Sequence, residues 1–189
     1  RAALQAGTQV DFMDQDADQL AGGLQKEGLG YDLTADLDQA TRDAFLPGTL
    51  ELFAQDGKIS QLPYIYNTVN FWYNKDMLAE VGGTVPATYD ELLALCGTVN
   101  EAGKSALVIE SNVAFYNGLY FSHYLSRLQG PGALIKTFED KTGEGWKDPG
   151  VLAAAQATRG LWEHKCIAPD ARGFQYPAGQ QTIALGDTL

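Results

Sequence analysis

The chain has 189 residues and a net charge of −11, from 24 acidic against 13 basic residues. This charge argues against nucleic acid and against an anionic membrane surface as partners, because both are bound by clustered Lys and Arg. With 45% hydrophobic and 11% aromatic residues, the chain can bury enough apolar surface to fold, and its charge is compatible with a neutral ligand such as a sugar.

The first part of the chain predicts short elements separated by loops. Hydrophobic spacing predicts helices at 17–28 and 49–54, and β-branched and aromatic runs predict strands at 9–13, 58–66 and 69–73. Gly28 is the expected stop of the first helix, and Asp56-Gly57 is a strong turn signal. The last two strands are expected to join near Asn67.

The second part predicts longer helices with clear start signals. Helices are expected after Asn74 as far as Gly82-Gly83, from Thr88 to about Gly103, over 115–128, and from Asp148 to about His164. Thr88 and Glu91 form a capping box, in which each side chain can bond the backbone of the other. The apolar run 106–109 predicts a buried strand, and 167–189 is loop-rich with one weak final element. Alternating strands and helices indicate an α/β fold.

Cysteines and the chain start give weaker signals. Cys96 and Cys166 lie far apart and outside any CxxC or Cys/His spacing, so we interpret them as two separate thiols, with a disulfide as the alternative. No apolar run approaches the roughly 18 residues of a membrane span. Because the chain begins at Arg1 without Met, we expect an upstream piece.

Three linked motifs between residues 56 and 92 carry the functional signal. They are Gly57-Lys58-Ile59 with Leu62-Pro63, then Tyr73-Asn74-Lys75-Asp76-Met77, then Pro86-Ala87-Thr88-Tyr89-Asp90-Glu91-Leu92. In this order and spacing the segment resembles the family 1 extracellular solute-binding proteins of ABC transporters, which are maltose-binding-protein-like. Shorter matches cover most of the chain, whereas 178–183 matches the family loosely and no Trp follows Gly186.

The resemblance implies an α/β fold of the type II periplasmic-binding-protein class, with two lobes and a hinge, truncated at both ends. Residues 1–66 would form part of the N-terminal lobe and 67–189 mainly the C-terminal lobe. It also implies capture of a mono- or oligosaccharide between the lobes for delivery to ABC transporter permease subunits, with no catalysis and no cofactor. The expected location is periplasmic or extracellular, with a lipoprotein anchor compatible, and the expected state is a monomer.

A sugar site needs aromatic rings for the C–H faces of the sugar, with amides and carboxylates for its hydroxyls. Candidates of these types are Gln15, Asp16 and Asp18 after the first strand, Tyr64 and Asn67 at the expected crossover, and Asn112, Phe115, Tyr116 and Asn117 around the start of the aromatic helix. The resemblance places Asn67 at the floor of the cleft and Phe115 on a loop that presents an aromatic ring to the ligand.

Each candidate also has a structural interpretation. Helix packing would explain Phe115 and Tyr116, a core position would explain Tyr64, and a turn would explain Asn67. Acidic residues that favour a helix N-terminus would explain Asp16 and Asp18. Trp72 is expected to pack between sheet and helix rather than to face a ligand.

Two other functions remain open from the sequence. The first is a different solute on the same scaffold, such as a polyol, a sugar phosphate or a polyamine, although no Arg or Lys follows residues 14 or 110 closely enough to favour a phosphate. The second is a carbohydrate-active enzyme, but no acidic pair and no nucleophile motif stands out, so we predict no catalytic residue. Asp14, Asp16 and Asp18 begin like a calcium loop, but Gln19 and Gln25 replace its Gly and Glu, so we predict no metal.

Overall fold

A computed structural model describes residues 2–14, 19–65 and 68–189. The internal contacts of the chain divide it into two compact units, Arg1–Asn70 and Phe71–Leu189. The crossover that we predicted near Asn67 lies outside the described residues.

Short elements make up the first unit. In chain order they are α1 (Ala2–Gln5), α2 (Gln19–Lys26), α3 (Gln39–Asp43), α4 (Thr49–Leu52), β1 (Ala54–Gln55) and β2 (Lys58–Ile59). The two helices predicted here, α2 and α4, are confirmed within a few residues. A local cap sets the start of α3, where the Asp38 carboxylate accepts a hydrogen bond from the Thr41 N–H at 2.7 Å.

The Asp56-Gly57 turn joins β1 and β2 in an antiparallel hairpin. Both turn residues have positive φ, 51° for Asp56 and 77° for Gly57, which is the conformation of a type I′ turn. Asp tolerates this region and Gly adopts it without steric cost, so the dipeptide fits the turn. The predicted turn is confirmed.

The other strands predicted in this part of the chain are wrong. Residues 9–13, residues 60–65 and residues 69–73 have no strand structure. Apolar and β-branched residues favour an extended backbone, but a strand also needs a neighbour to share its hydrogen bonds. The aromatic side chain of Phe12 illustrates the result, because it is 96% exposed.

Longer helices dominate the second unit. They are α5 (Lys75–Glu80), α6 (Tyr89–Glu101), α7 (Ala114–Gln129), α8 (Ala133–Glu139), α9 (Pro149–Glu163) and α10 (Ala178–Leu185), with 3₁₀ turns at Glu144–Lys147 and Ala171–Gly173. Three predicted caps are confirmed. Asn74 accepts from the N–H of Met77 at 3.1 Å, Thr88 accepts from the N–H of Glu91 at 3.2 Å, and Asp148 begins α9.

The second half of the predicted capping box differs by one residue. The Glu91 carboxylate accepts a hydrogen bond from the Ala87 N–H at 2.7 Å, and not from the N–H of Thr88. The carboxylate still accepts from a donor just ahead of α6, so the chain enters the helix in a fixed direction.

The apolar run at 106–109 packs in the core, with Ala106 and Ile109 buried and Leu107 and Val108 partly buried, but it does not form a regular strand. Two isolated parallel bridges lie here, one between Leu107 of the run and Ile167, and one between Ser105, just before the run, and Thr188. Leu107 donates to the Cys166 carbonyl at 2.8 Å and accepts from the Ala168 N–H at 2.9 Å. Because the chain changes partner within three residues, neither ladder grows.

A disulfide between Cys96 and Cys166 crosses the core of the second unit, with the two Cα atoms 4.9 Å apart. Our interpretation of two separate thiols was therefore wrong. Both cysteines are fully buried and pack with Val99 and Leu161 in one hydrophobic cluster. The bridge ties α6 to the segment that follows α9.

Candidate functional site

The start of α7 presents an exposed aromatic ring on a rigid support. The loop after the buried run leads from Glu110 to Val113, and α7 then carries Phe115 and Tyr116 in its first turn. The two rings meet edge to face, with centroids 4.6 Å apart. Tyr116 packs against the core, whereas Phe115 is 62% exposed. The core side of α7 therefore fixes the position of a ring that faces solvent.

An aromatic row continues along the buried face of the same helix. Tyr116, Tyr120 and Tyr124 recur at four-residue spacing and all pack against the core, as expected for one helix face. Phe71, the first residue of the second unit, places its ring 6.0 Å from that of Tyr120. Tyr89 of α6 meets Tyr124 edge to face at 5.4 Å. The helix-packing interpretation therefore describes Tyr120 and the buried side of Tyr116, but it does not describe Phe115.

The loop ahead of α7 also holds a distant segment. The Asn112 Oδ1 atom accepts a hydrogen bond from the Tyr176 N–H at 3.2 Å. Tyr176 is 58% exposed and lies two residues before the first residue of α10. We did not predict Tyr176 as a site residue. No local motif identifies it, because its link to Asn112 joins residues 64 positions apart.

Tyr64 belongs to the first unit, where its hydroxyl donates to the Asp14 carboxylate at 2.7 Å. The contact joins an exposed tyrosine to the residue that directly precedes the predicted Gln15–Asp18 cluster. Gln15, Asp16, Asp18 and Asn67 themselves lie outside the described residues. Tyr64, Asn112, Phe115 and Tyr116 are therefore the candidates whose side chains the structure describes.

Asn117 and Trp72 complete the set of residues that we singled out. The backbone of Asn117 belongs to α7. Trp72 is 80% exposed, so the prediction that it packs between sheet and helix is wrong. Its neighbours do not form the expected strand, and without a sheet no surface is present to cover the ring. The neighbouring Phe71 and Tyr73 are exposed as well.

Burial changes the acidity of the central tyrosine of the row. It raises the pKa of Tyr120 from its ordinary 10.0 to about 12, because the phenolate would lose its hydration. In the folded state the pKa thus lies above its unfolded value. The neutral phenol therefore contributes its full share to the free energy of unfolding below pH 10. This contribution is lost as the pH rises from 10 towards 12.

The Tyr120→Phe variant tests this assignment by ultraviolet titration of phenolate formation. We expect the difference between wild type and variant to be a single phenol that ionises at about pH 12. A difference that titrates near pH 10 would show that Tyr120 is hydrated and that the aromatic row is not packed as described.

In ranges 2–14, 19–65 and 68–189 no three His, Cys, Asp or Glu side chains cluster in a way that could hold a metal ion. Among the helices that the structure describes, none has the length and apolar character needed to cross a membrane.

Comparison with known proteins places the chain in a family. Residues 1–180 match the family described as bacterial extracellular solute-binding protein. The diacetylchitobiose binding protein NgcE of Streptomyces coelicolor is 25% identical over 140 residues, which are 73% of this chain and 29% of that protein. A probable sugar-binding periplasmic protein of Mesorhizobium japonicum is 29% identical over 115 residues, 60% of this chain and 27% of its own length.

A solved structure shows the same fold. It comes from work on xylan utilisation by the thermophilic bacterium Caldanaerobius polysaccharolyticus, and it superposes with a TM-score of 0.84 at 18% identity. The superposition covers 99% of this chain and 47% of that chain. The α/β fold of the type II periplasmic-binding-protein class is thereby confirmed. The chain spans less than a third of the two relatives and about half of the solved structure. This chain belongs to the family of bacterial extracellular solute-binding proteins.

Proposed function

We propose that this chain is part of the substrate-binding component of an ABC importer, and that the surface around Phe115 binds a mono- or oligosaccharide. The observation that carries the proposal is the exposed ring of Phe115, which meets edge to face, at 4.6 Å, the ring of Tyr116 that packs against the core. An apolar ring that faces solvent from a fixed position is suited to stacking on the C–H face of a sugar.

Polar groups beside the ring suit the sugar hydroxyls. Asn112 precedes Phe115 by three residues and is exposed. Its Oδ1 atom accepts a hydrogen bond from the Tyr176 N–H, which is the bond that this side chain makes within the described part of the chain. The Nδ2 group can therefore donate to a hydroxyl oxygen of the sugar. Asn117, in the next turn of α7, is proposed as a second amide.

The other predicted site residues are proposed from their place in the sequence. We propose that Tyr64, Asn67, Gln15, Asp16 and Asp18 contact the ligand as well. The 2.7 Å bond from Tyr64 to Asp14 supports this grouping, because it brings the two sequence regions together. Relatives named for diacetylchitobiose and for sugar binding support a carbohydrate over a charged solute.

Affinity sets the expected strength of binding. A micromolar dissociation constant corresponds to about 8 kcal/mol and a millimolar one to about 4 kcal/mol. One aromatic ring with two or three hydrogen bonds supplies the smaller figure more readily than the larger. We therefore expect this chain alone to bind sugars weakly, and the whole protein to bind them more tightly.

Saturation-transfer difference NMR of this chain tests the proposal, because the method detects weak ligands. The ligands are oligosaccharides of N-acetylglucosamine, xylose and glucose, with spermidine, a polyol and a sugar phosphate for comparison. We expect at least one sugar to receive saturation. Phe115→Ala should weaken its binding about tenfold, because the stacking surface is lost.

Phe138→Ala is the matched control. Phe138 is another exposed phenylalanine of the second unit, and it contacts Trp146 edge to face at 5.0 Å. This variant should bind the sugar as wild type does. Equal loss in both variants, or a response to spermidine alone, would refute the sugar site. Product formation from any glycan would instead establish the enzyme alternative.

Other properties of the whole protein follow as proposals from the family. We propose delivery of the bound sugar to permease subunits in the cytoplasmic membrane and a location outside that membrane, with a lipid anchor as one means of retention. A monomer is sufficient for this role, since one chain supplies all the proposed ligand groups.

A further inference from the structure

We infer that Tyr176 is an additional ligand-contacting residue of the Phe115 surface, and that the buried side chain of Glu110 positions it. The inference rests on the proposed function, because Tyr176 would contact the same sugar. It concerns residues 176–180, which overlap the stretch 178–183 that matches the family only loosely.

Glu110 is a buried acid with a defined partner. It is 4% exposed, and it directly follows the buried run 106–109. Its Oε1 atom accepts a hydrogen bond from the Gln180 N–H at 3.3 Å, in the first turn of α10. The residue before α10 is Pro177, whose side chain has no acceptor. A carboxyl group from a distant loop therefore supplies the N-terminal cap that the local sequence lacks.

Gly179 makes this approach sterically feasible. A Cβ atom at this position would lie 2.8 Å from Cγ of Glu110 and 3.2 Å from Cγ2 of Val108. Any larger residue would push the carboxyl group away from the first turn of α10. The glycine therefore indicates that Glu110 and α10 fit closely together.

A second hydrogen bond fixes Tyr176, two residues before α10 begins. Two residues after Glu110, the Asn112 side chain accepts from the Tyr176 N–H at 3.2 Å. The loop that leads into α7 thus holds the 176–180 segment at two points, and the same loop leads directly to Phe115. Tyr176 and Phe115 are consequently two exposed rings that belong to one bonded assembly.

The chemistry of Tyr176 suits a sugar. Its ring is 58% exposed, so the core does not account for it. Tyrosine offers an apolar face and a hydroxyl that both donates and accepts, and this combination recurs where a partner is part apolar and part polar. Because Glu110 itself is buried, it affects the affinity for the ligand by fixing the position of Tyr176.

A double-mutant cycle in sugar affinity tests the inference, using the sugar that binds wild type best. Tyr176→Ala is expected to weaken binding about tenfold, and Glu110→Ala should do the same. The double variant should be no weaker than either single variant, because both changes remove the same contact. Glu110→Gln keeps an oxygen acceptor for Gln180 and should restore most of the affinity.

Gly179→Ala provides a second test if Glu110→Ala fails to fold. The added Cβ atom displaces the carboxyl group of Glu110 without removing that residue. Amide hydrogen exchange of Tyr176 and Gln180 should accelerate in Gly179→Ala and in Glu110→Ala, whether or not a sugar is present.

The outcomes are distinguishable. If wild type binds a sugar and Tyr176→Ala binds it equally well, the inference is overturned and the proposed function stands. Strictly additive effects of Tyr176→Ala and Glu110→Ala would overturn the positioning role. If wild type binds no sugar, both the proposed function and the inference fail.

Discussion

Replacement of Cys96 and Cys166 by Ala together is expected to lower the free energy of unfolding of the second unit by about 4 kcal/mol. The bridge links residues that are 70 positions apart, so it restricts a long loop in the unfolded chain. Loop-closure entropy for a ring of this size corresponds to about 4 kcal/mol. Urea unfolding followed by tryptophan fluorescence measures the loss, since Trp162 packs against the same core as the bridge.

Reduction of the wild-type protein separates the bridge from the packing of the two sulfur atoms. The reduced wild type keeps both side chains, and it should lose most of the same stability. A change below about 1 kcal/mol on reduction would contradict the stabilising role of the disulfide. An extracellular location suits such a bridge, because oxidising compartments preserve it.

Leu161→Ala is expected to destabilise the second unit by about 3 kcal/mol. Leu161 lies in α9, is fully buried and packs in the cluster that contains the disulfide. Truncation of a buried leucine removes transfer free energy and leaves a cavity that the surroundings fill only in part. The same urea titration measures the effect.

Leu152→Ala is the matched control on the same helix. Leu152 is 60% exposed, so its truncation should change stability by less than about 0.5 kcal/mol. Equal effects of the two substitutions would mean that α9 packs through a different face from the one described.

Local signals in the sequence predicted four helices of the second unit, α5, α6, α7 and α9, whereas α8 was not predicted. Asn74, Thr88 and Asp148 each cap a helix through a backbone group two or three residues away, so a short stretch of sequence contains the whole interaction. The Asp56-Gly57 turn was predictable for the same reason, because its two residues adopt the required positive φ.

Interactions between distant residues could not be predicted in this way. Residues 105–109 include an apolar run, as a strand should, but the bridge partners Thr188 of Ser105 and Ile167 of Leu107 lie 60 or more residues on. The change of partner prevents a regular ladder. The pairing of Cys96 with Cys166 was wrongly interpreted as two separate thiols, because nothing in the sequence sets the distance between them.

The same difference between local and distant interactions explains which residues of the candidate site were predicted. Phe115 was predicted because the family resemblance places an aromatic ring at that position, and Asn112 because it lies in the same loop after the apolar run. Tyr176 was missed, since its place beside Asn112 depends on a contact across 64 residues. Trp72 was misplaced because its expected environment was a strand that does not form.

Mapping of a bound sugar onto the backbone amides by NMR tests the central claim most directly. The sugar that binds best is titrated into this chain, and chemical-shift changes are assigned residue by residue. We predict the largest changes at residues 110–117 and 174–177. Changes confined to α8 and the neighbouring Trp146, with residues 110–117 unaffected at saturation, would contradict the account.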